Sequence, residues 1–239
     1  MKERPIIYST PMVQALLDDK KTMTRRIFKD DPKLQFDANI DLSTWFKEHY
    51  EYIMSFCTYG KPGDVLYVRE SFSYYDGVGF NYKADFKAPE CFKWKPSIHM
   101  PKAAARIWLQ ITDVRVERLQ EISEPDAKAE GVERKAMSEV FKCRTLYKYK
   151  DYIFTKSELI PDAFNYLSPV NSFKSLWTLI NGANSWADNP WVWVISFKVL
   201  SKTGYNDIPE EIRKSNSVSI LNKHTAIEIT NEERKNLYI

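Results

Sequence analysis

The chain has 239 residues, and 35 Lys and Arg against 32 Asp and Glu give a formal charge of +3. With 44% hydrophobic and 14% aromatic residues it is too apolar for a disordered or low-complexity polymer, and its length supports one large or two modest domains around a sizeable core. No apolar run approaches the ~20 residues that a membrane-spanning helix needs, so no membrane partner is expected.

Ile6-Ile7-Tyr8 reads as a short strand. Thr10 suits an N-cap and Pro11 a first helical position, which predicts a helix from Pro11 to Asp19 with Met12, Val13, Leu16 and Leu17 facing a core. The run from Lys20 to Arg26 carries four cations in seven residues. Residues 28–58 are polar and aromatic without clear periodicity and read as an insertion. Turn chemistry at Tyr59 to Asp64 leads into a strand expected over Val65 to Phe72, with a second strand at Phe80 to Phe86. A long third strand is expected from Ile107 to Leu119. Its apolar phase shifts from Ile107, Leu109 and Ile111 to Val114 and Val116, which predicts a bulge.

Ser123 and Pro125 can open a short helix that Gly131 closes. Residues 132–169 read as a second insertion, rich in Lys, Tyr and Phe. Val170 to Ile180 is amphipathic, with Phe173, Leu176, Trp177 and Ile180 on one face. Trp191 to Val199 is the strongest strand signal in the chain. From 201 to 239 the composition turns polar, as in an appended arm. Strands mixed with short helices, without βαβ alternation, predict an α+β chain built as a small mixed β-barrel, which the first and last strands could close by pairing.

Lys21 and Thr24 hold the candidate chemistry. On a straight strand they would face opposite ways, but at a helix end or tight turn residues three apart meet. An ammonium held beside a hydroxyl and partly desolvated loses its proton more readily and can then take the hydroxyl proton. A carboxylate would complete the set, and local spacing does not say which.

Several strings carry a resemblance beyond this pair. They are Lys21-Thr22-Met23-Thr24-Arg25-Arg26, Gly60 to Glu70, Lys95 to Pro101, Val116 to Ser123, Ala127 to Val132, and Asn189 to Val194. Together they resemble ASCH-domain proteins of the PUA-like superfamily, in particular the long phage and prophage versions often labelled phage morphogenetic proteins. The resemblance spans residues 1–200, with the two insertions inside it and the polar arm, 201–239, outside it. It implies a PUA-like β-barrel with short flanking helices.

A small bacterial member of that family hydrolyses the amide of N4-acetylcytidine with a Lys, a Thr and a Glu. The resemblance thereby implies Thr24 as nucleophile, Lys21 as its activating base and Glu130 as proton carrier or orienter, with a cationic rim of Lys20, Arg25 and Arg26 stabilising the oxyanion. Thr22, Arg25, Arg26, Arg69, Glu70, Trp94 and His99 are the expected substrate-binding set. The family's glycine before the basic pair is Asp19 here, which bears on the turn.

Each sharp reading has a plainer neighbour. Arg26, Arg69 and Glu70 can equally be ion pairs on a barrel rim, and His99 a core or loop histidine. Trp191 and Trp193 are the right shape to stack a nucleobase or to fill the core. The cations and tyrosines between Lys142 and Lys150 mix as in RNA-contacting loops and as in solvated insertions. Cys57, Cys91 and Cys143 match no disulfide framework, and no His, Cys or carboxylate pair has metal-ligand spacing, so neither metal nor cofactor is expected. The opening Met1-Lys2-Glu3-Arg4-Pro5 does not read as a secretory signal, which with the odd cysteine count predicts a cytoplasmic setting; the resemblance to phage and prophage proteins implies that this is a bacterial host or phage-infected cell. The expected partner is a modified nucleoside or RNA. The leading expectation is an amidohydrolase of N4-acylcytidine; the alternative is a non-catalytic PUA-like module binding RNA or modified nucleic acid, with ribonuclease activity a weaker third.

Overall fold

The structure, a computed structural model, describes residues 1–28, 49–77, 79–85, 93–136, 147–153 and 167–213. In chain order the main elements are β1 (Glu3–Ile7), α1 (Thr10–Leu17), β2 (Met23–Ile27), α2 (Tyr50–Phe56), β3 (Val65–Arg69), β4 (Phe72–Tyr75) and β5 (Gly79–Tyr82). They continue with β6 (Trp108–Arg118), α3 (Glu124–Ala129), β7 (Arg134–Ala136), β8 (Tyr147–Tyr149), α4 (Pro169–Asn181) and β9 (Trp191–Ser201).

The alternating and continuous apolar runs of β6 and β9 pair antiparallel and form the middle of a five-stranded mixed sheet, in the order β1-β3-β6-β9-β2. Val192 to Ile195 are all buried, because this stretch is covered on both faces. The expected bulge is present: the β6–β9 register shifts between Ile111 and Asp113. β4 and β5, and β7 and β8, form two separate hairpins.

Two strand expectations are corrected. The first and last strands do not pair. β1 runs parallel to β3, so β1 and β2 are the sheet's edges and no closed barrel forms among the described residues. Side chains occupy the gap instead, and Arg26 on β2 reaches across it, Nη2 donating to the Ile7 carbonyl at 2.7 Å. The strand expected over Val65 to Phe72 divides at Glu70, whose buried carboxylate turns to Arg106.

The main core joins one face of the sheet to Met12, Val13 and Leu16 of α1, Ala127 of α3, and Phe173, Leu176 and Trp177 of α4. Described parts of both expected insertions contribute to it: Phe28, Ile53 and Cys57 from the first, Tyr149 and Tyr152 from the second. At the opposite end Ile208, from the segment that composition assigned to the arm, is buried with Val65, Ala105 and Trp108. The strand expected over Phe80 to Phe86 ends at Tyr82, after which residues 83–85 turn; Phe86 itself, the cation-rich stretch Lys142 to Arg144, and residues 214–239 lie outside the described residues.

Candidate functional site

Three local devices bring Lys21 and Glu130 together. Helix α1 ends at Leu17, and Asp19 takes the left-handed conformation that usually calls for glycine (φ 57°), with its carboxylate accepting from Lys202 Nζ at 2.6 Å. The Lys20 and Lys21 amides then close back onto the Ala15 carbonyl at 2.8 and 3.1 Å. In α3, Ser123 Oγ accepts from the Asp126 amide at 3.3 Å, and the helix ends through Glu130 into Gly131 at φ 84°. The Thr22 amide donates to the Ala129 carbonyl at 2.8 Å, which fastens the two segments side by side.

Lys21 is almost wholly buried, and its Nζ donates to Glu130 Oε2 and to the Glu130 carbonyl, both at 2.8 Å. Burial pulls the Lys21 pKa below its ordinary value, against the opposing pull of the Glu130 carboxylate. Glu130 Oε1 lies 3.3 Å from Arg25 Nη1, and Arg25 also pairs with Asp126 at 2.9 Å and with Glu117. Arg115 continues the chain toward solvent through Glu117 and Asp126, at 3.1 and 2.9 Å. Burial works against the charge on Arg25, but the Glu130 and Glu117 carboxylates outweigh it and raise its pKa. One buried network thus runs from Lys21 to the surface.

A cavity of about 260 Å³ opens beside this network, in the gap between the sheet edges. Tyr8, Lys21, Thr24, Arg25, Arg26 and Glu130 supply its polar wall, and Met12, Phe173, Leu176 and Trp177 much of its apolar wall. The space corresponds to roughly nine waters at ~30 Å³ each, enough for a small heterocycle. Lys21 and Thr24 share it although Thr24 is on a strand, because Lys21 belongs to the turn before β2. The ring of Tyr8 lies under two cations, with Lys21 Nζ 5.5 Å and the Arg26 guanidinium 5.2 Å from its centroid.

The remaining expected residues are elsewhere. Thr22 is exposed and contributes backbone hydrogen bonds, and Lys20 is exposed and paired with Asp18 at 2.6 Å. Arg69 donates to the Ile98 carbonyl. Glu70 is buried against Arg106, at 2.9 and 3.1 Å, and burial raises its pKa. Trp94 is half-buried and His99 exposed. None of Thr22, Arg69, Glu70, Trp94 and His99 lines the cavity. Glu70 is taken up by an ion pair with Arg106, as the rim reading expects, whereas Arg69 donates to a backbone carbonyl. Trp191 is half-buried and Trp193 lies in the core, its ring 4.9 Å from that of Phe28.

Sequence reasoning missed Tyr8, which it read only as the end of a strand, and the α4 wall. The signal for the wall was present in the apolar face Phe173, Leu176, Trp177 and Ile180, because Ile180 stays 60% exposed at the cavity mouth. Among the described residues no cluster of His, Cys, Asp and Glu has metal-binding geometry, and no helix is long and apolar enough to cross a membrane. No family model, curated protein or solved structure matches the chain.

Proposed function

We propose that this protein binds a modified nucleoside in the Lys21–Thr24–Glu130 cavity and hydrolyses the exocyclic amide of N4-acylcytidine. One observation carries the reading: a buried lysine, paired to a buried carboxylate, lines the same small cavity as a buried threonine hydroxyl.

The chemistry follows from the pair. As an ammonium, Lys21 cannot take a proton, but burial favours its neutral amine, and Glu130 Oε2 is in place to receive the proton it sheds. The amine then accepts the Thr24 proton as Oγ1 attacks the acyl carbonyl carbon. The tetrahedral intermediate collapses with cleavage of the C–N bond, Lys21 returns the proton to the departing N4, and cytidine leaves. Water attacks the acyl-threonine ester, passes a proton to the Lys21–Glu130 pair, and breaks the C–Oγ1 bond; Thr24 recovers its proton and a carboxylic acid is released. General acid–base help of this type contributes about 10²–10⁴-fold.

A small neutral substrate also suits the charges better than RNA does. Among the described residues, each cation that lines the cavity has a terminal nitrogen engaged, Lys21 and Arg25 by carboxylates and Arg26 by the Ile7 carbonyl. A phosphate backbone needs free cations and binds with a steep salt dependence.

The test is turnover of N4-acetylcytidine by the wild-type chain and by Thr24→Ala, Lys21→Ala and Glu130→Ala, followed as release of cytidine and acetate. Wild-type turnover that is lost in Thr24→Ala and Lys21→Ala is expected. Equal turnover in all four proteins, or none in any, overturns the reading. Salt-sensitive RNA binding without turnover would favour the binding module.

A further inference from the structure

The unpaired polar atoms of the cavity wall share one property. Tyr8 Oη, Arg25 Nε and Arg26 Nε are buried and have no hydrogen-bond partner. Tyr8 is 3% exposed and sits next to Thr24 and Arg26, yet its hydroxyl makes no well-formed hydrogen bond to either. An orphaned buried polar group costs about 1–3 kcal/mol. Both guanidinium nitrogens can only donate, and the Tyr8 hydroxyl can donate as well as accept. Among the wall's acceptors, the Glu130 carboxylate is already met by Lys21 and Arg25. The unpaired buried groups thus include two that can only donate and a hydroxyl that can, which suits a ligand that brings acceptor oxygens.

Resting on the N4-acylcytidine reading above, we propose that Tyr8 is a further catalytic residue, whose hydroxyl, with Arg26 Nε beside it, donates to the acyl oxygen as that oxygen becomes an oxyanion. The Arg25 and Arg26 rim expected from sequence is recast by this: the Arg25 terminal nitrogens are tied up by Glu117, Asp126 and Glu130, leaving Tyr8 as the neutral donor next to the Thr24 nucleophile. Burial raises the Tyr8 pKa far above the usual range, so the phenol keeps its proton wherever the enzyme is folded. Its role is to polarise the carbonyl and hold the oxyanion; it neither loses nor gains a proton during the cycle. A donor held in place before the charge develops acts where it counts most, in the transition state.

The experiment compares wild type with Tyr8→Phe in three measurements: kcat and KM for N4-acetylcytidine, thermal unfolding without ligand, and binding of N4-acetylcytidine to Thr24→Ala and to Thr24→Ala/Tyr8→Phe. Loss of one oxyanion donor lowers kcat about 10²–10³-fold, with KM changed little. The unfolding temperature stays level or rises, because the change deletes a buried hydroxyl that has no partner. A purely structural tyrosine would give the opposite pattern. If wild type turns over and Tyr8→Phe keeps kcat within threefold, or unfolds several degrees earlier, this proposal falls and the Thr24–Lys21–Glu130 reading stands. In the binding measurement the two variants agree within threefold, because the donor acts on the oxyanion and not on the ground-state carbonyl; a tenfold weaker complex with the double variant makes Tyr8 a ground-state contact and overturns the catalytic assignment. Absence of turnover in every protein overturns both proposals.

Discussion

Gly131 is where the geometry of the candidate site can be tested most directly. It has φ 84°, and a Cβ added there would lie 2.9 Å from the Ala15 Cβ and 2.9 Å from the Lys21 Cβ. Neither neighbour yields easily. Ala15 is a buried residue of α1, and the Lys21 Cβ is one bond from a backbone whose amide is tied to the Ala15 carbonyl at 3.1 Å. A left-handed backbone costs an L-residue about 1–2 kcal/mol, and forcing an extra methyl into a filled space costs about 1–3 kcal/mol. Gly131→Ala should therefore destabilise by roughly 2–5 kcal/mol, which for a chain of this size lowers Tm by about 2–4 °C per kcal/mol. Gly63 is the control, because it also has a positive φ (91°) but has nothing within 4 Å of its Cβ position. Gly63→Ala meets only the backbone cost. The assay is thermal unfolding of both variants beside N4-acetylcytidine turnover. The extra loss in Gly131→Ala measures the contact with Lys21 and should come with reduced turnover, whereas Gly63→Ala keeps wild-type turnover. If the two variants lose the same Tm, the close approach of Gly131 to Lys21 is refuted.

Removing the charge of Glu130 should act on Lys21 in a definite direction. The carboxylate holds the Lys21 pKa up against burial, so Glu130→Gln lowers it further and moves the rising limb of kcat/KM against pH to more acidic values; an unmoved limb counts against the pairing. Breaking a buried pair also costs about 3–5 kcal/mol, measurable by denaturant unfolding. Lys21 gives a pH dependence of stability as well. Its folded pKa lies below the unfolded value of 10.5, so between the two the unfolded chain binds the extra proton and stability rises with pH. Lys21→Met should flatten that rise in unfolding measured across a pH series, and an equally steep rise in the variant would contradict it. Arg106→Ala should separate stability from function: it strands the buried Glu70 carboxylate, at a cost of about 3–5 kcal/mol, yet the pair lies off the cavity and folded protein should keep its kcat.

What could be read in advance was what short-range chemistry decides. The helix from Ser123 to Gly131 was legible because a cap hydroxyl, an early proline and a left-handed terminal glycine act within nine residues of one another. The bulge in β6 was legible because a change of apolar phase has only one cause on a paired strand. The closure of the sheet was not legible. Which edges meet depends on whether backbone or side chains fill the last gap, and here Arg26, Tyr8 and the cavity occupy it. Lys21 and Thr24 could be suspected from their spacing, but Glu130, more than a hundred positions away, came only through family resemblance. Glu70 shows the limit of that route. Its string carried the resemblance, yet its partner Arg106, outside those strings, takes up its charge.

The buried pair invites an argument about cost. Taking Lys21 and Glu130 out of water is unfavourable, and two apolar side chains of similar volume would hold the same segments together as well or better. The segments do not need the pair for alignment, since the Thr22–Ala129 hydrogen bond and the close seat of Gly131 against Lys21 already fix them. What an ion pair offers that an apolar contact does not is a proton that can sit on either partner. In the interior, burial penalises the charged amine and brings the neutral amine closer in energy, with the receiving carboxylate oxygen 2.8 Å away. The orphaned hydroxyl of Tyr8 follows the same logic, because it too sacrifices stability at one wall of one cavity. Two unrelated costs converging on a space next to a buried threonine hydroxyl are the kind of local stability sacrifice that the proposed chemistry would require and that packing alone would not.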